Sequence, residues 1–413
     1  MSKDDIILDR VWALLSRYCT DSIVAQFQDH INKMHKSESE LLETASRRGV
    51  EKEAEENVFD RIQLEIVLEQ CERQLPKKEN LELLLEIGNL CADYGDHQRA
   101  EEFYAKTQKA AAKKAGLAIQ AGRAYLHRAE LAIRQADWAE ALSCLKESRK
   151  YFARAKNQRG LGQVENHLGV YFAEQGDLKQ AAQHLRKAFA IFEKINQAEE
   201  LSTILMDLGI LSNIVGDWEE AVRNYQRALP EFEKTGSVHR LAELHHNMGM
   251  TMLAKQDFTS AIGQFDESLH YSDQMHYQHL QGMAFLGKAT AYARVGDHPL
   301  AMAFANRALN IFRHVRDQLS VADSYKVKAI VQRELKNLEV AELYFQTSIR
   351  LNEQYKNALN LGESYYELGI LQSMQNKRKE AAQAFRQSVL LFKRVGARRE
   401  LETAQQMLAQ LKT

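Results

Sequence analysis

The chain has 413 residues with only three prolines, 55 Lys and Arg against 56 Asp and Glu, and four cysteines. A balance this close to neutral excludes the basic footprint of a nucleic-acid binder, and four dispersed thiols exclude a disulfide framework or a metal-ligand spacing. No stretch approaches the ~18 uncharged apolar residues of a membrane span, and Met1-Ser2-Lys3-Asp4-Asp5 lacks the flank of a signal peptide.

Helix-forming Ala, Leu, Glu, Gln, Lys and Arg dominate, so an all-helical chain is expected. Charge is uneven along it, with 12 basic against 17 acidic residues in 1–80 and 11 against 7 in 341–413, imbalances too small to imply a polyanionic partner. Residues 3–35 carry apolar positions at helical spacing (Ile6, Ile7, Val11, Leu14, Leu15, Tyr18, Ile23, Val24, Phe27) and read as two helices broken near Cys19–Ser22. Residues 36–75 read as a degenerate repeat or a plain helical cap, and Pro76–Asn80 as a break with Asn80 capping the helix that follows.

From there a period of about forty residues runs to the end of the chain. Its clearest sign is a column of alanines, Ala100, Ala141, Ala181, Ala221, Ala261, Ala301, Ala341 and Ala381. Twelve residues upstream lies a second small column, with Gly88, Gly169, Gly209, Gly249 and Gly369 among its members. Four residues downstream lies a bulky one: Tyr104, Leu145, Leu185, Tyr225, Phe265, Phe345 and Phe385, broken by Ala305. Internal periods of this size mark stacked repeats. Glycine inside a helix costs roughly 1 kcal/mol relative to alanine, so a glycine column needs a compensating close contact, expected here from the facing alanines.

Turns separate two helices in each repeat at Gly95-Asp96, Ala136-Asp137, Gly176-Asp177, Gly216-Asp217, Gln256-Asp257, Gly296-Asp297, Lys336-Asn337 and Asn376-Lys377. Glycine suits the left-handed helix end there, and Asp caps the next helix. Pro299 falls in a first turn, where a missing N–H is harmless, whereas Pro230 predicts a kink in a second helix. Residues 398–412 read as a last helix with a polar outer face, of the kind that shields a solenoid end and closes the chain.

A further small column lies seven residues after the alanines: Thr107, Ser148, Ala188, Ala228, Ser268, Ala308, Ser348 and Ser388. The four columns in register resemble the tetratricopeptide repeat (TPR) family over residues 81–401, with a longer period and without the family's closing proline, as in its polarity-adaptor and bacterial regulator members. The resemblance implies a right-handed α-solenoid, a superhelix of about eight helix-turn-helix units opening near 81, 122, 162, 202, 242, 282, 322 and 362, with an amino-terminal helical cap in 1–80 and a capping helix in 402–413. It also implies a concave groove lined by the first helix of each repeat. Carried onto this chain, the groove positions give Arg123, Leu126, Glu130 and Arg134; Met206, Ile210 and Asn213; His246, Met250 and Leu253; Met283 and Leu286; and Lys326 and Arg333. The middle of this strip is apolar and rich in methionine, and its ends are charged.

No phosphate loop, nucleophile elbow or H-E-x-x-H pair occurs. His276, His279 and Asp273 gather near one turn without a second ligand pair, and adjacent His245 and His246 diverge by about 100° around their helix. Trp138, Trp218 and Phe258 follow turn residues and are expected to seal hairpin ends. The expectation is therefore a cytoplasmic, non-enzymatic scaffold that needs no cofactor and holds a protein or peptide partner, with no nucleic acid and no membrane insertion. The alternative is a TPR regulator that responds to a small molecule or signalling peptide.

Overall fold

The computed structural model describes residues 3–19, 24–25, 68–69, 71–93, 96–112, 114–135, 137–275, 277–315 and 317–411. Most of the second helix expected in 3–35, most of the degenerate repeat in 36–75, and Gly95, Ala136 and His276 therefore lie outside the described residues. Every regular element among those described is a helix, and none is long and apolar enough to cross a membrane. The chain forms two compact units, Met1–Tyr171 and Phe172–Thr413.

The first unit holds α1 (Lys3–Tyr18), α2 (Lys77–Asp93), α3 (His97–Ala111), α4 (Ala118–Arg134), α5 (Trp138–Arg154) and most of α6 (Gln158–Glu174). Its core joins Val11, Leu15 and Cys19 to Cys71, Leu83, Leu84 and Tyr104. The break before the array sits earlier than expected. α2 starts at Lys77, the Asn80 N–H donates to the Pro76 carbonyl at 3.0 Å, and Asn80 itself is 6% exposed inside the first turn. Asn80 is therefore not the cap; the Pro76 carbonyl accepts the first helical bond.

The second unit holds α7 (Leu178–Lys194), α8 (Ala198–Val215), α9 (Trp218–Thr235), α10 (Val238–Ala254), α11 (Phe258–Gln274), α12 (Gln278–Val295), α13 (His298–His314), α14 (Gln318–Glu334), α15 (Leu338–Gln354), α16 (Ala358–Met374), α17 (Arg378–Val395) and α18 (Arg398–Gln410). Each helix packs on the next, giving the stacked hairpins of an α-solenoid. Asp177, Asp217, Asp257 and Asp297 each accept a hydrogen bond from the backbone N–H three residues on, which satisfies one orphan donor at that helix start. Gly176, Gly216 and Gly296 take the left-handed backbone, and so do Gln256, Lys336 and Asn376 at the equivalent places. α9 runs unbroken through Pro230, whose position and that of Gln226, the residue that loses its hydrogen-bond donor, are both exposed, so water replaces the missing bond.

The glycine column meets rings rather than alanines. A Cβ on Gly88 would stand 2.5 Å from the Tyr104 ring; on Gly209, 2.4 Å from Tyr225; on Gly249, 2.7 Å from Phe265; on Gly369, 2.8 Å from Phe385. A second ring does the same at the other end of the hairpin. Phe152 lies against Gly122, Phe312 against Gly282 and Phe392 against Gly362, while Phe152 on Gly160 and Phe265 on Gly287 cross to the next repeat. The alanine column is fully buried alongside.

These contacts set opposite signs for two glycine substitutions. Gly209→Ala relieves about 1 kcal/mol of helix propensity, but overpacking against a ring that is 1% exposed costs roughly 1–3 kcal/mol, so the variant is expected to lose up to about 2 kcal/mol. Gly263→Ala, in the middle of α11 with nothing within 4 Å, is expected to gain about 0.5–1 kcal/mol. Urea midpoints of the two variants check this. A Gly209→Ala chain more stable than its parent would overturn the ring-on-glycine contact.

Candidate functional site

The first helices α10, α12, α14 and α16 line a groove of about 560 Å³ within the second unit, and α18 closes one side of it. Successive first helices present the same positions, so the wall is periodic: Met283, Asp323 and Glu363 in one row, His246, Leu286, Lys326 and Tyr366 in the next, Met250, Thr290 and Ile330 in a third.

The α10–α12 side is apolar. Met250 is 42% exposed, and Leu253, Met283 and Leu286 are half-buried. At the foot of this wall His246 is 7% exposed, with its ring 5.7 Å from Phe265 and its Nδ1 without a hydrogen-bond partner. Burial pushes the imidazole down to about 4, against the pull of Glu243 and with His279 adding to the effect. Burial would raise the Glu243 carboxyl, but His239 at 3.2 Å and Arg240 at 2.9 Å hold it down to about 2. Asp317 is likewise held to about 2 despite burial by His279, whose Nε2 lies 2.9 Å from Oδ2.

The α14–α16 side is polar but internally neutralised. Lys326 Nζ lies 3.1 Å from Asp323 and also pairs with Glu363; these two carboxylates raise its pKa although burial alone would lower it. Burial raises the Asp323 carboxyl, with Lys326 opposing, and Asn360 Nδ2 donates to its Oδ2 at 2.9 Å. Arg333, 6% exposed, pairs with Glu367 at 2.6 Å. An unpaired charge at such depth would cost several kcal/mol, which is why each cation here carries its own carboxylate. Arg294 and Arg399, both exposed, line the same groove and pair with no carboxylate among the described residues, and Glu400 lies beside Arg399.

Of the groove positions expected from sequence, the structure brings together His246, Met250, Leu253, Met283, Leu286 and Lys326. Met206 is instead 3% exposed, packed with Tyr225, Leu241 and Leu244, and Ile210 lies against the same cluster. Asn213 is half-buried with an unpartnered Oδ1, away from the groove. Arg333 sits behind the polar wall rather than at a charged groove end. Arg123, Leu126, Glu130 and Arg134 belong to the first unit. There Arg123 pairs with Glu82, Leu126 is 4% exposed, and Glu130 pairs with Arg134 at 2.8 Å between His127 and His167, each 3.8 Å away. Burial works against the Glu130 charge, and these three partners outweigh it, holding its pKa well below the usual range.

Glu363 and Tyr366 were legible in principle, since they repeat Asp323 and Lys326 forty residues on. Arg399 was not, because it comes from a helix outside the repeat pattern. Trp138 meets Tyr171 edge to face at 6.0 Å, whereas Trp218 lies under the Arg399 guanidinium at 5.5 Å. Among the described residues no group of His, Cys, Asp and Glu is placed to hold a metal ion.

The histidine at the groove floor fixes a pH window. Its folded pKa of about 4 lies below the unfolded value of ~6.5, so its contribution to stability is complete above ~6.5 and is lost as pH falls toward 4. Glu243 and Asp317, depressed to about 2, act lower: their contribution is present above pH ~4 and is lost toward 2. His246→Leu is expected to remove on the order of 3 kcal/mol of acid sensitivity between pH 6.5 and 4 while leaving the loss below pH 4. Urea unfolding at pH 4, 5, 6 and 7 checks this; an unchanged slope over that range would place the titration elsewhere.

Comparison with known proteins bears on what this architecture is. The tetratricopeptide repeat model matches residues 120–194, 200–270 and 280–354, together more than half of the chain. No curated protein matches the sequence. Similar solved structures include a Rap protein complexed with Competence and Sporulation Factor (TM-score 0.56, 13% identity, 81% of this chain and 98% of that one). NprR in complex with its cognate peptide NprX is similar too (TM-score 0.54, 14% identity, 80% and 99% covered), and its apo form is the quorum sensor from B. thuringiensis. A third is a signal transduction ATPase with numerous domains and a tetratricopeptide repeat sensor, from Pyrococcus horikoshii (TM-score 0.53, 14% identity, 98% of this chain and 65% of that one). Identities this low carry the fold alone. The sequence match goes further: the chain belongs to the tetratricopeptide repeat family.

Proposed function

We propose that the chain is a non-enzymatic interaction module that holds a short peptide segment of a partner in the groove of residues 172–413. The observation that carries this reading is the half-open apolar wall of Met250, Leu253, Met283 and Leu286, set above a buried His246 nitrogen that has no partner of its own. Methionine adapts to varied apolar side chains, so this wall suits an apolar segment without demanding one shape. A volume of about 560 Å³ lies within the range of a small-ligand site, which fits a few residues better than a whole helix. Two structures of similar fold, the Rap protein and NprR, hold a signalling factor and a peptide respectively, which supports a peptide as occupant.

Peptides selected by display on the wild-type chain supply the probe. Met250→Glu with Leu286→Glu is expected to leave the far-ultraviolet circular dichroism unchanged and the melting temperature only modestly lowered, because Met250 is exposed and Leu286 is half-buried on the groove wall. It is expected to weaken peptide binding tenfold or more, since each buried charge costs at least ~1.4 kcal/mol of binding. Undiminished binding by the stable double variant would move the site out of this groove.

A further inference from the structure

The last described helix, α18, is held to the second unit at two distant places. The Arg399 guanidinium lies 5.5 Å from the Trp218 ring, at the start of α9 and four repeats earlier in sequence. Just before α18, the Val395 carbonyl oxygen lies 3.4 Å from where a Cβ on Gly176 would stand, in the turn that precedes α7. The end of this unit thus touches its beginning. Between these contacts Arg399, Glu400 and Thr403 complete the groove wall facing α12, α14 and α16.

α18 packs on α17, burying Ala404 fully and Leu401, Met407, Leu408 and Leu411 in part. It has a helix neighbour on one side only among the described residues, so local opening costs less there than inside the array. Trp218 keeps its indole Nε1 buried and turns its ring to the Arg399 guanidinium.

We propose that α18 is a latch on the groove: it docks through the Arg399–Trp218 contact, and a groove occupant binds the docked state because three of the lining residues belong to the latch. This rests on the groove reading above and adds its regulation. Occupancy and docking are then coupled, and each strengthens the other. An agent that covers Trp218 or draws Arg399 away opens the groove.

Hydrogen exchange of amides 400–410 tests the latch without any ligand. Arg399→Ala and Trp218→Leu are each expected to lower protection there two- to fivefold, the equivalent of a partly exposed cation–π contact of about 0.5–1 kcal/mol. The double variant is expected to lose no more than either single one, because both remove the same contact. Exchange unaltered by either change, or effects that add, would overturn the latch. A display-selected peptide is then expected to raise protection of 400–410 in the parent. A peptide that binds with no change at 400–410 would overturn the coupling while leaving the groove reading intact, whereas binding untouched by Met250→Glu with Leu286→Glu would remove the groove reading and leave the ligand-free result standing.

Discussion

The array depends on a ring pressed against a bare helix backbone. In the hairpins of Gly88, Gly209, Gly249 and Gly369 an aromatic side chain sixteen residues on occupies the space a Cβ would need. That contact fixes how near the two helices lie, and with it which face of the first helix is left for the groove. Phe152, Phe312 and Phe392 repeat the device at the other end of their own hairpins, and Phe152 on Gly160 and Phe265 on Gly287 carry it to the next repeat. Where the ring column is broken at Ala305, the aromatic moves one place to Phe304. Its ring stacks on Phe285 at 5.9 Å and Tyr292 at 5.5 Å, and Lys288 lies 4.4 Å above it. The void is filled from a different direction, which keeps the stack close-packed.

The columns, turns and Asp caps were legible because each is a local rule repeated many times. The partner of the glycine column was not, since periodicity shows which positions are small but not which large one fills them. Alanine and the ring lie four residues apart on the same face of the second helix. Only the depth of the two backbones tells that the longer side chain reaches the glycine. Asn80 is ambiguous for a related reason: it is a good capping residue by type, but the proline four residues earlier already ends the preceding segment and its carbonyl opens the helix.

One groove row changes character from repeat to repeat. At the position one turn into the repeat, Leu126, Met206 and His246 are buried at 4%, 3% and 7% exposure, whereas Leu286, Lys326 and Tyr366 are half-buried in the groove wall. Residues one turn further on face the opening, as Met250 does. The pattern of polar and apolar types cannot separate the two rows, because both suit a half-buried helix face. Charge was similarly ambiguous. Lys326 and Arg333 looked like free cations at a groove end until the next repeat placed Glu363 and Glu367 against them. Pairs spaced 37 and 34 residues apart become neighbours only once the repeats are stacked.

Exposed apolar residues elsewhere on the second unit sharpen the case for this groove. Ile214, Val215 and Val295 stand at helix ends beside turns, and Leu343 and Leu390 on second helices, where scattered single residues are the normal state of a protein surface. Met250, Leu253, Met283 and Leu286 differ because they share one concavity with a buried polar atom that lacks a partner. Apolar walls gain from any apolar occupant in proportion to the area covered, which gives affinity without choice. The choice must then come from the polar groups not already spoken for. Since Lys326, Arg333, Asp323, Glu363 and Glu367 satisfy one another, selectivity falls to His246, Arg294, Arg399 and Glu400. Two of those four ride on α18, so the element that decides whether the groove is closed also carries half of the groups that can tell one occupant from another.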